Sequence, residues 1–224
     1  MLITLIVIIA PPFLPFSEAE IDPLAFNMPP SAKHLLGGDD VGRDVLSRLL
    51  YGGRVSLAVG IFSTAVSVIV GIPLGMLAAF YRGAFEVVVM RLSDIFMSFP
   101  STILILFLVS MFGPSIITVT VVIGVLGWPK FARQIYGSVL SIREKDYIEG
   151  AVAIGAKDKL IITRYILPNA VAPIFISITF RIASAIILES SLSFLGMGVQ
   201  PPAASWGNML YNAQSITILT SRPW

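Results

Sequence analysis

At 224 residues, 56% hydrophobic and only 12% charged, with a mean hydropathy of +0.88, the chain reads as an integral membrane protein; an average soluble domain is roughly 25% charged. Cysteine is absent, which excludes disulfides and thiolate metal sites. The net charge of +2 and pI near 9.0 do not argue for nucleic acid, because the basic residues sit beside apolar runs, where they orient a membrane chain.

A spanning helix takes about 20 mainly apolar residues. The first run, Met1 to Phe16, is interrupted at Pro11-Pro12 and lacks the basic start of a signal peptide, so it reads as the end of a truncated first span. Ser17 to Arg54 is polar, with Pro23, Pro29 and Pro30, then Gly37-Gly38-Asp39-Asp40-Val41-Gly42-Arg43-Asp44, then the amphipathic Val45 to Tyr51. That order predicts turns followed by a short interfacial helix. His34 is a lone histidine in this loop, with no metal role expected of it.

Val55 to Phe80 is apolar throughout and long enough to span with tilt. Gly71 and Gly75 flank Pro73 as a small-xxx-small pair that permits close helix approach; common usage of Gly and Pro in spanning helices explains them equally well. After the turn at Tyr81-Arg82-Gly83, Phe85 to Met111 forms a span carrying Arg91, Asp94 and Pro100. Phe112 to Ser115 is a short connection, and Ile116 to about Tyr136 is the next span. Ala172 to Leu195 is a further one, followed by a turn-rich loop with Pro201-Pro202 and Trp206, the latter expected as an interfacial anchor. The C-terminal Ile216 to Trp224 stops where another apolar run starts.

Between the last two internal spans lies a polar island. Lys130, Arg133, Arg143, Lys145, Lys157, Lys159 and Arg164 face the acids Glu144, Asp146, Glu149 and Asp158. Its basic excess predicts the cytoplasmic side. The Ser17 to Arg54 loop would then be external in spite of Lys33, Arg43, Arg48 and Arg54. Ser141 to Lys159 has no proline, Ala151, Ala153 and Ala156 favour helix, and Ile148, Val152 and Gly155 follow helical spacing. Gly155 permits a turn, and a second short helix from about Asp158 to Ile166 is expected to end before Pro168. An ordinary solvated loop that merely orients the chain fits the periodicity about as well.

Glu149-Gly150-Ala151, then Gly155, then Leu167-Pro168 resembles the EAA loop of binding-protein-dependent ABC importer permeases: Glu-Ala-Ala, three residues, Gly, nine residues, Ile-x-Leu-Pro. Gly150 replaces the first Ala and Tyr165 replaces the Ile. Gly37 to Leu57 and Glu189 to Trp206 are similar to the C-type permease subunit of the dipeptide/oligopeptide/nickel branch.

The resemblance implies an all-α integral membrane protein, a type I importer transmembrane domain of about five to six spanning helices whose first and last spans are truncated. Residues 1–53 would hold the truncated span, external polar loop and interfacial helix, and 54–224 the transmembrane domain, with a cytoplasmic coupling loop at about 141–168. The implied function is half of the translocation path of an ATP-driven importer for di- or oligopeptides or a related small solute such as nickel.

The loop would dock on the ATPase through Glu149, Gly150, Ala151, Gly155, Ala156, Leu167 and Pro168, with Glu149, Ala151 and Gly155 at the core of the contact. Implied partners are two cytosolic ABC ATPase subunits binding ATP and magnesium, a homologous permease, an external solute-binding protein and the lipid bilayer, with no nucleic acid. The location would be a bacterial or archaeal cytoplasmic membrane. The chain itself contains no Gly-x-x-x-x-Gly-Lys-Ser/Thr phosphate loop, so it is expected to be no enzyme, with ATP hydrolysis left to the partner subunits; no metal or cofactor is expected in it.

Arg181 and Glu189 lie in the span after the island, eight residues and roughly 12 Å of helix apart, too far for a direct pair. They are expected to line the path or to bridge to the second permease, with a place near the outer interface, where a charge costs little, as the alternative for Glu189. A channel or secondary transporter without an ATPase, or a membrane assembly subunit, is the alternative, and it needs no docking motif.

Overall fold

The structure is a computed structural model that describes residues 2–221; Met1 and Arg222 to Trp224, at the outer ends of the two terminal apolar runs, lie outside the described residues. The helices are α1 (Leu2–Ile9), α2 (Val45–Tyr81), α3 (Gly83–Ser98), α4 (Ser101–Phe112), α5 (Ile116–Arg143), α6 (Asp146–Ala153), α7 (Asp158–Leu160), α8 (Leu167–Phe194), α9 (Trp206–Ala213) and α10 (Ile216–Ser221), with a π-helical turn over Ile161–Ile166. Among the described residues the only β-structure is two isolated bridges, Ile21 with Arg43 and Gly38 with Asp44.

Among the described residues, three helical stretches are long and apolar enough to cross a membrane: Val45–Tyr81, Ile116–Arg143 and Asp158–Phe194. The pair α3 and α4 makes a fourth if counted as one span, but it bends by 87°. The run expected as one span from Phe85 to Met111 therefore breaks at Phe99-Pro100. Pro100 disfavours helical geometry at Phe99, whose φ of −92° and ψ of 142° are extended.

Two further boundaries differ from expectation. The interfacial helix at Val45 to Tyr51 does not stop before the span, and α2 runs 37 residues through Gly52-Gly53 and across the expected domain boundary at residue 53. Glycine weakens a helix by about 0.5–1 kcal/mol, and here close packing offsets the cost. A Cβ on Gly53 would lie 2.8 Å from the Trp206 ring, and one on Gly52 would lie 3.2 Å from the backbone of Ser205.

The chain divides into two compact units: Met1–Gly60 with Leu108–Val119 and Ile186–Trp224, and Ile61–Phe107 with Thr120–Ala185. In the second unit α2 and α5 meet through small residues. A Cβ on Gly71 would sit 2.6 Å from the Trp128 carbonyl oxygen, and one on Gly75 would sit 2.1 Å from that of Ala132. Lipid tails are as apolar as leucine, so contact of this kind rather than water exclusion holds spanning helices together. Met76, Phe131, Ile135, Val139, Ile166 and Ile174 form the adjoining core.

In the first unit the loop before α2 is ordered by charge. His34, 2% exposed, places Nδ1 2.9 Å from Asp44 and Nε2 3.4 Å from Asp22, with Phe16 stacked on its ring at 4.6 Å. Asp44 in turn accepts from the Ser47 amide at 2.7 Å, which satisfies one of the free N–H groups at the start of α2. The Lys33 ammonium lies 2.6 Å from Asp22 and, with the Leu24 amide, holds that carboxyl below the usual range, at about 2.

Candidate functional site

The sequence motif falls on a helix, a turn and the entry to a spanning helix. Asp146 and Glu149 occupy the first turn of α6, where a negative charge complements the helix N-terminus. Ile148 and Ala151, three residues apart, are buried at 3% and 6% exposure and pack with Ile161, Ile162 and Ile166. Gly155 has φ +80°; its amide donates to Val152 at 2.9 Å and the Ala156 amide donates to Ala151 at 3.0 Å. This is a Schellman termination, with a left-handed residue just past the helix end and a contact between the residues either side of it. Ala156 closes it by packing on the same core as Ala151. Any residue with a Cβ at position 155 would cost about 1–2 kcal/mol.

The second short helix does not end before Pro168. It passes through the π-turn into α8, so that Asp158–Phe194 is one apolar stretch. Proline lacks an N–H and its ring clashes with the carbonyl four residues back, here that of Arg164. In the π-turn the Leu167 amide reaches Ile162, five residues back, so the added residue is accommodated just ahead of the proline.

Burial sorts the expected docking residues. Glu149, Gly150, Gly155 and Pro168 are exposed, Ala156 and Leu167 are half-buried against the core, and Ala151 faces inward. Ala151 therefore supports the loop from within rather than forming the centre of an outer surface. The helical register is also shifted, with Ile148 and Ala151 inside and Val152 outside. Space is open around both glycines, since a Cβ on Gly150 or Gly155 would meet nothing within 4 Å. Beside them Val152 is 59% and Ile154 86% exposed. The motif does not point to these two; the signal is an isoleucine next to the terminating glycine, out of register with Ile148 and Ala151.

Of the basic residues of the island, Arg133 pairs with Asp94, and Arg143 lies 5.6 Å over the Phe80 ring while donating to the Ala79 carbonyl at 3.4 Å. Lys145, Lys157, Lys159 and Arg164 are exposed. What remains outward is a small apolar surface edged by Glu149 and lysines, the composition of a protein contact with a polar rim.

The two charges within α8 have separate surroundings. Arg181 donates from Nη2 to the Ile123 carbonyl at 3.0 Å, its buried Nε has no partner, and Gly127 leaves room for its guanidinium. Glu189 is fully buried within its own chain, bonded to the Ser56 and Ser193 hydroxyls at 2.8 and 2.7 Å. It thus faces neither a path nor a second chain, as the sequence alone suggested it would. Trp206 is half-buried, with its indole N–H donating to the Leu49 carbonyl at 3.0 Å.

Comparison with known proteins assigns a family to this set of long apolar helices and its exposed helix-turn insertion. The family described as "Binding-protein-dependent transport system inner membrane component" matches residues 71–221. A putative peptide permease protein of Brucella ovis is 40% identical over 96% of this chain and 71% of its own length. The dipeptide transport system permease protein DppC of Alkalihalophilus pseudofirmus is 38% identical over 98% of this chain and 72% of its own. A glutathione transport system permease protein, GsiD of Pectobacterium atrosepticum, is 42% identical over 86% of this chain and 64% of its own. Among solved structures, the methionine ABC transporter MetNI in inward-facing conformations matches with a TM-score of 0.61 at 21% identity, over 76% of this chain and 84% of the other, which establishes the shared fold. The chain belongs to the family of binding-protein-dependent transport system inner membrane components, and is a multi-pass, non-enzymatic permease subunit.

Proposed function

We propose that this chain forms half of the translocation path of an ATP-driven importer for peptides, and that α6 with the turn at Ile154-Gly155 is its coupling element. The observation that carries the reading is the outward Glu149, Gly150, Val152, Ile154 and Gly155, a small apolar surface on a short helix whose inner face is locked to the core by Ile148 and Ala151. The occupant of that surface is a cytosolic ABC ATPase, one of two that bind ATP and magnesium. Glu149 meets a basic group there and Ile154 fills an apolar pocket. Motion of the ATPases then passes through the π-turn into α8, which is continuous with the loop.

Peptide is the solute class favoured by the relatives, two of which are named for peptide or dipeptide transport and a third for glutathione. The remaining partners are a homologous permease and an external solute-binding protein, in a bacterial cytoplasmic membrane. The exposed lysines of the island favour its placement inside. The opposing basic residues between Ser17 and Arg54 are engaged within the chain, Lys33 with Asp22, Arg43 and Arg48 with Asp39, and Arg54 with the carbonyls of Val7 and Ile8.

Co-purification of the neighbouring ATPase and ATP-driven peptide uptake test the reading. Truncating an interface anchor costs about 2 kcal/mol or more, roughly 30-fold in affinity, so Glu149→Lys and Ile154→Asp should each lose the ATPase and uptake while leaving the permease folded. Retained complex and uptake in both variants would contradict it.

A further inference from the structure

Glu189 is not part of the coupling element. Its carboxylate is fully buried, and among the described residues its hydrogen-bond partners are hydroxyls rather than cations. Ser56 and Ser190 donate to Oε2 at 2.8 and 3.4 Å, and Ser193 donates to Oε1 at 2.7 Å. Two of those serines hold backbone in turn. Ser193 Oγ accepts from the Val199 amide at 3.1 Å and from the Ser205 hydroxyl at 3.4 Å, and Ser56 Oγ accepts from the Trp206 amide at 3.3 Å.

The direction of these bonds follows from the chemistry of the hub. A carboxylate accepts and does not donate, so each serine turns its hydrogen toward Glu189, and Ser56 and Ser193 turn lone pairs toward an N–H. Val199 and Trp206 bracket the loop between α8 and α9. The backbone approach is equally close, because a Cβ on Gly198 would lie 1.8 Å from Ser193 Oγ and one on Gly207 2.5 Å from Ser193 Cβ.

We propose that Glu189 is a positioning residue for transport: an acceptor-only hub that fixes the loop 196–205 and the start of α9 against α2 and α8. Its consequence for uptake rests on the reading of the chain as an importer permease, in which the loop 196–205 is external and the rigid joint keeps the outer end of α8 in one arrangement.

Glutamine separates this role from mere space filling. An amide nitrogen in place of Oε1 would face Ser193 Oγ, whose two lone pairs are already taken. In place of Oε2 it would turn the Ser56 and Ser190 hydrogens away. The natural chain has no cysteine, so Ala203→Cys, half-buried in the loop, is a clean reporter in the detergent-solubilised full complex. A buried polar group left unpaired costs enough to raise its maleimide labelling rate about 5-fold or more, and E189Q and E189A should do so alike. Ser193→Ala, a milder change, should raise it in the same direction. Labelling at a separate reporter, the exposed Ser141→Cys, should stay unchanged, and uptake by the E189Q complex should fall several-fold.

E189Q labelling and transporting like the parent, with only E189A altered, would reduce Glu189 to a space filler and overturn the proposal. Unchanged labelling with Ser193→Ala and E189Q together would do the same. If the parent complex shows no ATP-driven uptake, the importer reading fails, while the labelling rates still decide whether the hub exists.

Discussion

The coupling element and the Glu189 joint both depend on glycine, and they use it in opposite ways. In the joint, Gly53, Gly198 and Gly207 are glycines because another group occupies the space a side chain would take. In the coupling element, Gly150 and Gly155 have open space around them, and Gly155 is needed only for its φ of +80°. Crowded glycines mark where the chain packs on itself. Open glycines beside an isoleucine that is 86% exposed form the surface that we propose receives the ATPase.

The sharpest way to break this contrast is one substitution in each region. Gly207→Ala forces a Cβ to 2.6 Å from the Ser190 carbonyl oxygen, and overpacking of that kind costs about 1–3 kcal/mol. A marked fall in the thermal midpoint of the purified complex should follow. Gly155→Ala should cost about 1–2 kcal/mol through its backbone conformation alone, fraying the end of α6 in hydrogen exchange. Gly150→Ala has room and sits within a helix, so it should raise stability by about 0.5–1 kcal/mol. Equal destabilisation by Gly207→Ala and Gly150→Ala would erase the distinction between the two regions.

The smallest effect is expected in the loop before α2. Asp22 is held at about 2, so its contribution is present above the ordinary carboxyl value near 3.8 and is lost as the pH falls toward 2. Stability in acid titration should therefore decline through that window, and Asp22→Asn should flatten the decline. An unchanged acid limb in Asp22→Asn would show that the Lys33 and Leu24 contacts do not act in solution.

Hydropathy alone made the long spans legible, because a bilayer demands continuous apolar length. Its errors came from local rules that distant contacts override. Gly52-Gly53 reads as a break, yet Ser205 and Trp206 fill the space those glycines leave, and the helix continues. Pro168 reads as a stop, yet a π-turn just before it carries the chain into α8.

The docking motif marks a segment of chain, but motif spacing says nothing about which side of a helix faces the core. Spacing therefore does not reveal that Ala151 is buried and Ile154 is 86% exposed. Glu189 reads as a path-lining charge because its partner on α2, Ser56, is 133 residues away. No local pattern announces such a pair.

The central claim is that Ile154 sits in the ATPase interface. A single cysteine there, Ile154→Cys, in an otherwise cysteine-free chain, can be cross-linked in membranes holding the full complex. Ile187→Cys, on the 67% exposed apolar side of α8, serves as the comparison. A permease–ATPase adduct from Ile154→Cys and none from Ile187→Cys is the predicted result, whereas no adduct from Ile154→Cys in a complex that still imports peptide would contradict the account.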